Sequence, residues 1–196
     1  MDATLIRQLV WLDYRLALLF IVIIPFGLLC WAFQNKNEAI KRSLFLYWRV
    51  ASLVLITIYL AIGSLAIAFI LGIVAEILIV LALWFWQDLN EDIEASRKNL
   101  KPIYLGWRWA TTVYCFLSVG FRLFFANCAF AKAEQLSDIC KTWFEPPLNF
   151  SNVFHNGVPV ENLVFVGAVG GIVYGLYFFS FLAFSLPKTG RIAFRD

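Results

Sequence analysis

The sequence predicts an all-α integral membrane protein with about five transmembrane helices and two short interfacial amphipathic helices. Composition is the first observation behind this prediction. The chain is 62% hydrophobic and 15% charged with a mean hydropathy of +0.78, which lies outside the range of soluble globular domains. The second observation is the stretch from Val50 to Trp86, whose single charge is Glu76. One crossing takes about 20 residues, so this stretch fits two helices.

The predicted spans make the whole chain, residues 1–196, a single membrane-embedded helical bundle. Gly63 and Ser64 form the turn of a tight hairpin between two of the spans. Pro25 interrupts the first span, where it frees a backbone carbonyl. We expect a static kink filled by neighbouring helices, with a hinge as the alternative. The spans are predicted at about 16–33, 44–62, 65–86, 103–125 and 163–186.

Two amphipathic segments lie outside these spans. In residues 5–15, apolar side chains recur at helical spacing and polar ones occupy the other side, which is typical of a helix lying in the membrane interface. Residues 131–144 show the same spacing, so we expect a second interfacial helix there, ended by Glu145-Pro146-Pro147. Residues 149–161 are predicted to form an irregular loop.

The Lys and Arg residues predict the orientation of the bundle, because short cytoplasmic loops carry an excess of them. Five spans place the amino terminus and the 126–162 loop on one side and the carboxyl terminus on the other. Of the 16 Lys and Arg residues, eleven lie on the side of the carboxyl terminus. We therefore expect a cytoplasmic carboxyl terminus, with the amino terminus and the loop in a lumen or periplasm. The five residues on that second side are Arg7, Arg15, Arg122, Lys132 and Lys141.

Glu76 is the acidic residue within the predicted spans and the main candidate for chemistry. A carboxylate at bilayer depth costs several kcal/mol, so such residues usually face the bundle interior and have partners. Because burial disfavours the charged form, Glu76 is a candidate proton or cation site. The alternative is structural: a hydrogen-bonded Glu76 would hold the hairpin against Tyr114, Thr111 or Thr112 of the fourth span.

Gly167, Gly171 and Gly175 are spaced by four residues along the last predicted span, with Gly170 beside them. This repeat gives an apolar helix a flat face that another backbone can approach closely. The repeat therefore predicts close helix packing. It leaves the partner open between a helix of this chain, a second copy and another membrane protein.

The four cysteines fall into two pairs. Cys30 and Cys115 lie in predicted spans, where small apolar packing residues are expected. Cys128 and Cys140 lie in the loop assigned to the outside, where disulfides persist. A disulfide between them would pin the second interfacial helix to the end of the fourth span. Two independent thiols are the alternative.

Side chains that usually hold cofactors are scarce. His155 is the only histidine, which excludes bis-histidine haem ligation, a zinc site with two histidines and most histidine-based hydrolysis. No glycine-rich phosphate loop and no basic nucleic-acid-binding face occurs. Asp88, Glu91 and Asp92 share a helical face that could bind a hard cation, although a solvated acidic face is the commoner reason for such a pattern. We expect no cofactor, no nucleic acid partner and no catalytic site.

Several aromatic-rich stretches form an unusual combination of motifs: Leu12-Asp13-Tyr14-Arg15, Tyr47-Trp48-Arg49-Val50-Ala51-Ser52, Leu83-Trp84-Phe85-Trp86-Gln87-Asp88-Leu89-Asn90, Trp107-Arg108-Trp109-Ala110 and Trp143-Phe144-Glu145-Pro146-Pro147. With these motifs the chain resembles, over nearly its whole length, a family of small multi-pass membrane proteins from cyanobacteria that carries only a domain-of-unknown-function label. The resemblance implies an organism with thylakoids and a location in the thylakoid or plasma membrane. It assigns no catalytic or ligand residues.

Two functions follow as hypotheses. The glycine face, the interfacial helices and the resemblance favour a non-enzymatic accessory or assembly factor of a membrane complex, such as a photosynthetic one. The last helix would then bind a membrane-protein partner or a second copy within the lipid bilayer. The alternative is a small carrier or channel for protons, ions or a solute, which would use Glu76 together with the Pro25 kink. Five spans without an internal repeat disfavour a carrier built from inverted repeats.

Overall fold

The computed structural model describes residues 2–96, 99–130 and 137–193, and within these ranges the chain is helical and contains no strand. The all-α fold class is therefore confirmed. Short turns and loops connect the helices in chain order. The helices are α1 Ala3–Ala17, α2 Ile24–Gln34, α3 Glu38–Ile62, α4 Ala66–Trp84, α5 Gln87–Ala95, α6 Leu100–Leu123, α7 Asp138–Thr142, α8 Glu145–Phe154, α9 Val160–Ser180 and α10 Leu186–Thr189.

Four helical stretches of the described residues are long and apolar enough to cross a membrane: Ala3–Gln34, Glu38–Ile62, Ala66–Trp84 and Val160–Lys188. They match four of the predicted spans, and such a set of apolar helices fits a membrane protein. The predicted span at 103–125 corresponds to α6, which is not among the four. This helix is comparably long but carries buried polar side chains, Arg108 and Arg122 among them.

The first helix contains two predicted segments. The amphipathic helix at 5–15 was expected to run into the span at 16–33, and helical structure does run without a gap from Ala3 to Gln34. Ile6 and Val10 of α1 are buried in the same apolar cluster as Trp143, which follows α7. The amphipathic pattern of the first residues therefore matches packing of α1 against the α7 region.

Pro25 lies just beyond a π-helical turn, Leu18–Ile23, that joins α1 to α2. Because proline has no N–H, it cannot donate the usual helical hydrogen bond to the carbonyl of Ile21. The Tyr47 hydroxyl of α3 donates to that carbonyl at 2.7 Å. The Trp107 indole of α6 donates to the carbonyl of Phe20 at 2.8 Å. Neighbouring helices thus fill the interruption, as the static-kink interpretation expects.

The helices alternate between two ends of the bundle. We call the loop end the one that holds the Gly63-Ser64 turn, residues 126–130 and residues 137–159, and the tail end the one that holds α5 and residues 190–193. Helices α3 and α4 form the hairpin, α6 packs on α4, and α9 packs mainly on α3. The buried charges of α6 therefore face the hairpin and the first helix.

At the loop end, two prolines lie at the start of a helix. Pro146 and Pro147 occupy the first turn of α8, where the N–H groups have no helical partner and proline is tolerated. The preceding helix does end before these residues, as predicted, since α7 ends at Thr142. The prediction that 149–161 is irregular was wrong over 149–154, because α8 runs from Glu145 to Phe154. Helix α7 falls inside the predicted interfacial helix at 131–144, of which residues 131–136 lie outside the described residues.

Candidate functional site

Three charged side chains meet inside the bundle near its loop end: Asp13 of α1, Glu76 of α4 and Arg122 of α6. All three are buried. One guanidinium nitrogen of Arg122, Nη2, lies 3.0 Å from Asp13 Oδ2, and its Nε lies 3.4 Å from Glu76 Oε1. We call this group the charge cluster. It joins the first helix, the hairpin and α6 through one arginine.

Hydroxyl groups of α6 complete the contacts of the two carboxylates. The Ser118 hydroxyl donates to Glu76 Oε1 at 3.0 Å. The Tyr114 hydroxyl donates to Asp13 Oδ1 at 3.0 Å and lies 3.1 Å from the Asp13 carbonyl. Tyr114, Ser118 and Arg122 are four residues apart, so helical spacing places all three on one face of α6.

The Arg122 guanidinium is enclosed by aromatic rings and by a glycine. It lies 5.2 Å from the ring centre of Trp143 and 5.9 Å from that of Tyr14, within the range of cation–π attraction. On α4, a Cβ added at Gly72 would lie only 2.8 Å from Arg122 Nη1. Gly72 therefore provides the space that the arginine occupies, and Trp143 connects the cluster to the loop-end helices.

The charges of the cluster do not balance when all its members are ionised, since two carboxylates face one guanidinium. In addition, Glu76 Oε2 is buried without a hydrogen-bond partner among the described residues. Buried carboxylate oxygens are normally hydrogen-bonded. One proton on the Glu76 carboxyl or one small cation at Oε2 would balance the charge, and a cation would also give the oxygen a partner. The geometry therefore allows proton or cation binding as well as a structural role.

The sequence singled out Glu76 but predicted the wrong partners for it. Of the expected residues, Tyr114 bonds to Asp13 instead. Thr111 lies 3.5 Å from the Phe20 carbonyl, and Thr112 donates to the Arg108 carbonyl at 2.7 Å. The partners of Glu76 are Ser118 and Arg122, which lie one and two helical turns after Tyr114 on α6.

Sequence reasoning also missed Asp13 and Arg122 as members of a site. Asp13 was assigned to an interfacial helix and Arg122 to the boundary of a span, where charges need no internal partner. A signal for Arg122 was present, because it lies inside a predicted span of apolar residues. Asp13 carried no such signal in the sequence, because it lies before the first predicted span.

A second buried arginine, Arg108, lies on α6 nearer the tail end. Its Nη1 donates to the Asn90 side chain at 2.7 Å, and its guanidinium stacks 3.8 Å from the ring centre of Trp84. Nearby, the Asp88 carboxylate accepts from the Ala193 backbone N–H at 3.0 Å. Among the described residues no group of three or more His, Cys, Asp or Glu side chains could hold a metal ion, and this includes the acidic face of α5.

Cys128 and Cys140 form a disulfide bond, with their Cα atoms 5.4 Å apart. It joins the 3₁₀ turn Ala126–Ala129, which follows α6, to α7. Both cysteines share the buried apolar cluster that contains Trp143. The disulfide therefore ties down the segment that places Trp143 over Arg122.

The glycine repeat of α9 packs within the chain at one end and opens at the other. A Cβ added at Gly167 would lie 2.9 Å from the Tyr59 side chain and 3.2 Å from the Leu60 backbone nitrogen of α3. At Gly171 the nearest atom, on Ile56, would be 3.6 Å away, and at Gly175 nothing lies within 4 Å. The repeat therefore packs on α3 at Gly167 and Gly171, whereas Gly175 is exposed.

The fold and the charge cluster together define a helical protein of the membrane type, with a buried ionic centre that joins its first helix, its hairpin and α6. The chain belongs to the family described as "Protein of unknown function (DUF3177)", which matches residues 7–194. The predicted membership of a domain-of-unknown-function family is thereby confirmed over nearly the whole chain. Comparisons with curated proteins and with solved structures give no match.

Proposed function

We propose that the protein is a non-enzymatic accessory or assembly factor of a membrane complex, and that it binds its partner laterally through α9. The observation that carries this proposal is the surface of α9. That helix packs mainly on α3, and large side chains cover the rest of its surface. Phe165, Leu176 and Phe179 are 68%, 67% and 70% exposed. A helix held along one edge is suited to receive another helix along the opposite edge.

Gly175 supports the same proposal. Small residues drive helix association in membranes because they let two backbones approach closely. Gly175 is exposed, and a Cβ added there would lie within 4 Å of no atom of the described residues, so α3 does not use it. It lies among exposed aliphatic and aromatic side chains of α9, where a partner helix could reach it.

Replacement of Gly175 tests the proposal more cleanly than replacement of Gly171, which contacts Ile56 of α3. The tagged protein is purified in a mild detergent, sized on a native gel and examined by mass spectrometry. We expect wild type to retain stoichiometric subunits of a membrane complex. Gly175→Leu should lose them while the chain still inserts and folds. Gly120→Leu is the matched control, because Gly120 of α6 also meets no atom within 4 Å.

Two results would contradict the proposal. The first is wild-type protein that purifies as a lone chain or a small oligomer without other subunits. The second is a Gly175→Leu variant that keeps every subunit of the wild type. That result would show that the α9 surface is not the binding site.

The location and orientation form part of the same proposal. The resemblance to cyanobacterial proteins supports a thylakoid or plasma membrane and a photosynthetic complex as partner. The excess of Lys and Arg supports a cytoplasmic tail end. The disulfide supports a loop end in an oxidising lumen or periplasm.

Transport of protons or small cations is a second candidate function, favoured by the unpartnered Glu76 Oε2. Intramembrane carboxyl groups in proton relays face the bundle interior and pair with other charges, and Glu76 does both. Wild-type protein in proteoliposomes should then carry a proton or cation flux that Glu76→Gln removes. Glu94→Gln, at an exposed position of α5, should leave that flux unchanged. Wild-type vesicles without flux would eliminate this candidate.

A further inference from the structure

A wedge-shaped cavity opens between α9 and the hairpin in the tail-end half of the bundle. Its volume is about 530 Å³, within the range of roughly 300–1,000 Å³ typical of ligand sites. Helix α9 packs closely on α3 at Gly167. Nearer the tail end, Tyr174 and Phe178 of α9 line the cavity opposite Leu46 and Val50 of α3.

The walls of the wedge are apolar along its depth. Leu46 and Val50 of α3 and Leu78 and Ala82 of α4 line one side, and Phe178 of α9 lines the other. Such walls favour a hydrocarbon group over a polar solute, because a polar group would lose its hydrogen bonds to water without replacement.

The chain after α10 closes the tail end of the wedge. The Arg191 side chain donates to the Phe85 carbonyl at 3.0 Å, and the Gln87 backbone N–H donates to the Arg191 carbonyl at 3.0 Å. Asp88 holds the Ala193 N–H, so Ile192 and Ala193 become part of the lining. The cavity is thus a recess lined by α3, α4, α9 and the segment after α10.

Arg49 of α3 lies on the rim of this recess. It is exposed and lines the cavity. Its guanidinium has no hydrogen bond or ion pair with any of the described residues, in contrast to the buried Arg108 and Arg122. A fixed positive charge beside a hydrocarbon recess is complementary to a molecule with an anionic head and an apolar chain.

We propose that the wedge binds one anionic lipid of the surrounding bilayer. One acyl chain lies between α9 and the hairpin, and the acidic head group pairs with Arg49. A bound lipid fills the space between α9 and the hairpin. This inference concerns a different part of α9 from the exposed surface assigned to a partner.

Native mass spectrometry of the full chain tests the proposal. Protein is stripped of lipid in detergent and titrated with phosphatidylglycerol or with phosphatidylcholine of the same acyl chains. We expect one phosphatidylglycerol to bind first and to be retained. Phosphatidylcholine should bind roughly five- to tenfold more weakly, because its choline balances the phosphate charge that attracts Arg49. Arg49→Gln should weaken phosphatidylglycerol binding by a similar factor and phosphatidylcholine binding by less.

Two further variants separate the acyl-chain recess from general surface effects. Ala82→Phe fills the cavity wall without a change of charge and should remove the retained lipid. Ala183→Phe makes the same substitution at an exposed position that does not line the cavity, and it should keep the lipid. Arg42→Gln removes an exposed arginine of the same helix outside the cavity and should also keep it.

The proposal is overturned by any of three results: equal binding of the two lipids, unchanged phosphatidylglycerol binding in both Arg49→Gln and Ala82→Phe, or a polypeptide that occupies the recess and is displaced by Ala82→Phe. Because lipid binding is measured on the isolated chain, its failure is distinguishable from loss of a protein partner through Gly175.

Discussion

At the scale of single residues, the charge cluster decides how the loop-end half of the bundle is held together. Arg122 lies between Asp13 and Glu76, and each of these carboxylates also accepts a hydroxyl hydrogen bond. Buried charges are costly to leave alone, because the loss of one partner exposes the other to an apolar surrounding. The three charges therefore depend on one another far more than exposed ion pairs do.

We predict that Arg122→Leu costs about 3–5 kcal/mol of unfolding free energy, because it leaves two buried carboxylates without a cation. Glu76→Gln should cost less, about 1–2 kcal/mol, since the Asp13–Arg122 ion pair survives. The measurement is denaturant or thermal unfolding of the protein in defined detergent micelles.

The exposed ion pair between Arg7 and Glu145 provides a control for this prediction. Arg7→Leu should cost no more than about 1 kcal/mol, as is usual for exposed pairs. If Arg122→Leu were as mild as Arg7→Leu, the cluster would not be a structural centre of the bundle.

At the scale of elements, Pro25 and Tyr47 act as one unit. The proline removes a helical hydrogen bond from the first helix, and a hydroxyl from α3 replaces it. An interruption that would weaken an isolated helix thus becomes a point of attachment to the hairpin. Both Ile21 and Tyr47 are buried, so the carbonyl has no access to water as a substitute.

We predict that Tyr47→Phe costs about 1–3 kcal/mol, the penalty for a buried carbonyl left without a donor. In a Pro25→Ala background the same substitution should cost less, because the alanine N–H can donate to the Ile21 carbonyl. A double-mutant cycle on unfolding free energies measures this coupling.

Tyr104→Phe is the matched control for that cycle. Tyr104 is as buried as Tyr47, but its hydroxyl bonds to Ser43 at 2.7 Å and not to the proline segment. Tyr104→Phe should lower the unfolding free energy by the same amount in the wild type and in the Pro25→Ala background. Additive effects of Tyr47→Phe and Pro25→Ala would disprove the assignment.

At the scale of the whole molecule, the two ends of the bundle differ in chemistry. The loop end holds the disulfide, the charge cluster and α8, whereas the tail end holds α5 and the segment that closes the lipid recess. If the apolar helices cross a membrane, these ends face different compartments. The orientation is therefore open to direct measurement.

We predict that, for the protein inserted in a plasma membrane, Asn152→Cys is labelled by a membrane-impermeant maleimide in intact cells or right-side-out plasma-membrane vesicles, and that Asn35→Cys is labelled only after the membrane is opened. Both residues are exposed, the first on α8 and the second between α2 and α3. The background carries Cys30→Ser, because Cys30 is an exposed free thiol. The reverse pattern would invert the proposed topology.

The sequence by itself determined the features that depend on local composition. The absence of charges other than Glu76 between Val50 and Trp86 predicted a helical hairpin, and its turn lies at Gly63-Ser64 as expected. These predictions succeed because the length and hydropathy of a helix are properties of a single stretch of chain. The membership in the DUF3177 family, matched over residues 7–194, likewise follows from the sequence alone.

Only the tertiary structure decided which distant residues meet. Asp13 and Arg122 are 109 residues apart in sequence, and no local pattern links them, because the pairing depends on how α1, α4 and α6 pack. The same holds for the glycine repeat, whose spacing predicts close packing but not that α3 takes Gly167 while Gly175 stays open. Helix formation is local, whereas the choice of partner depends on the three-dimensional arrangement of all the helices.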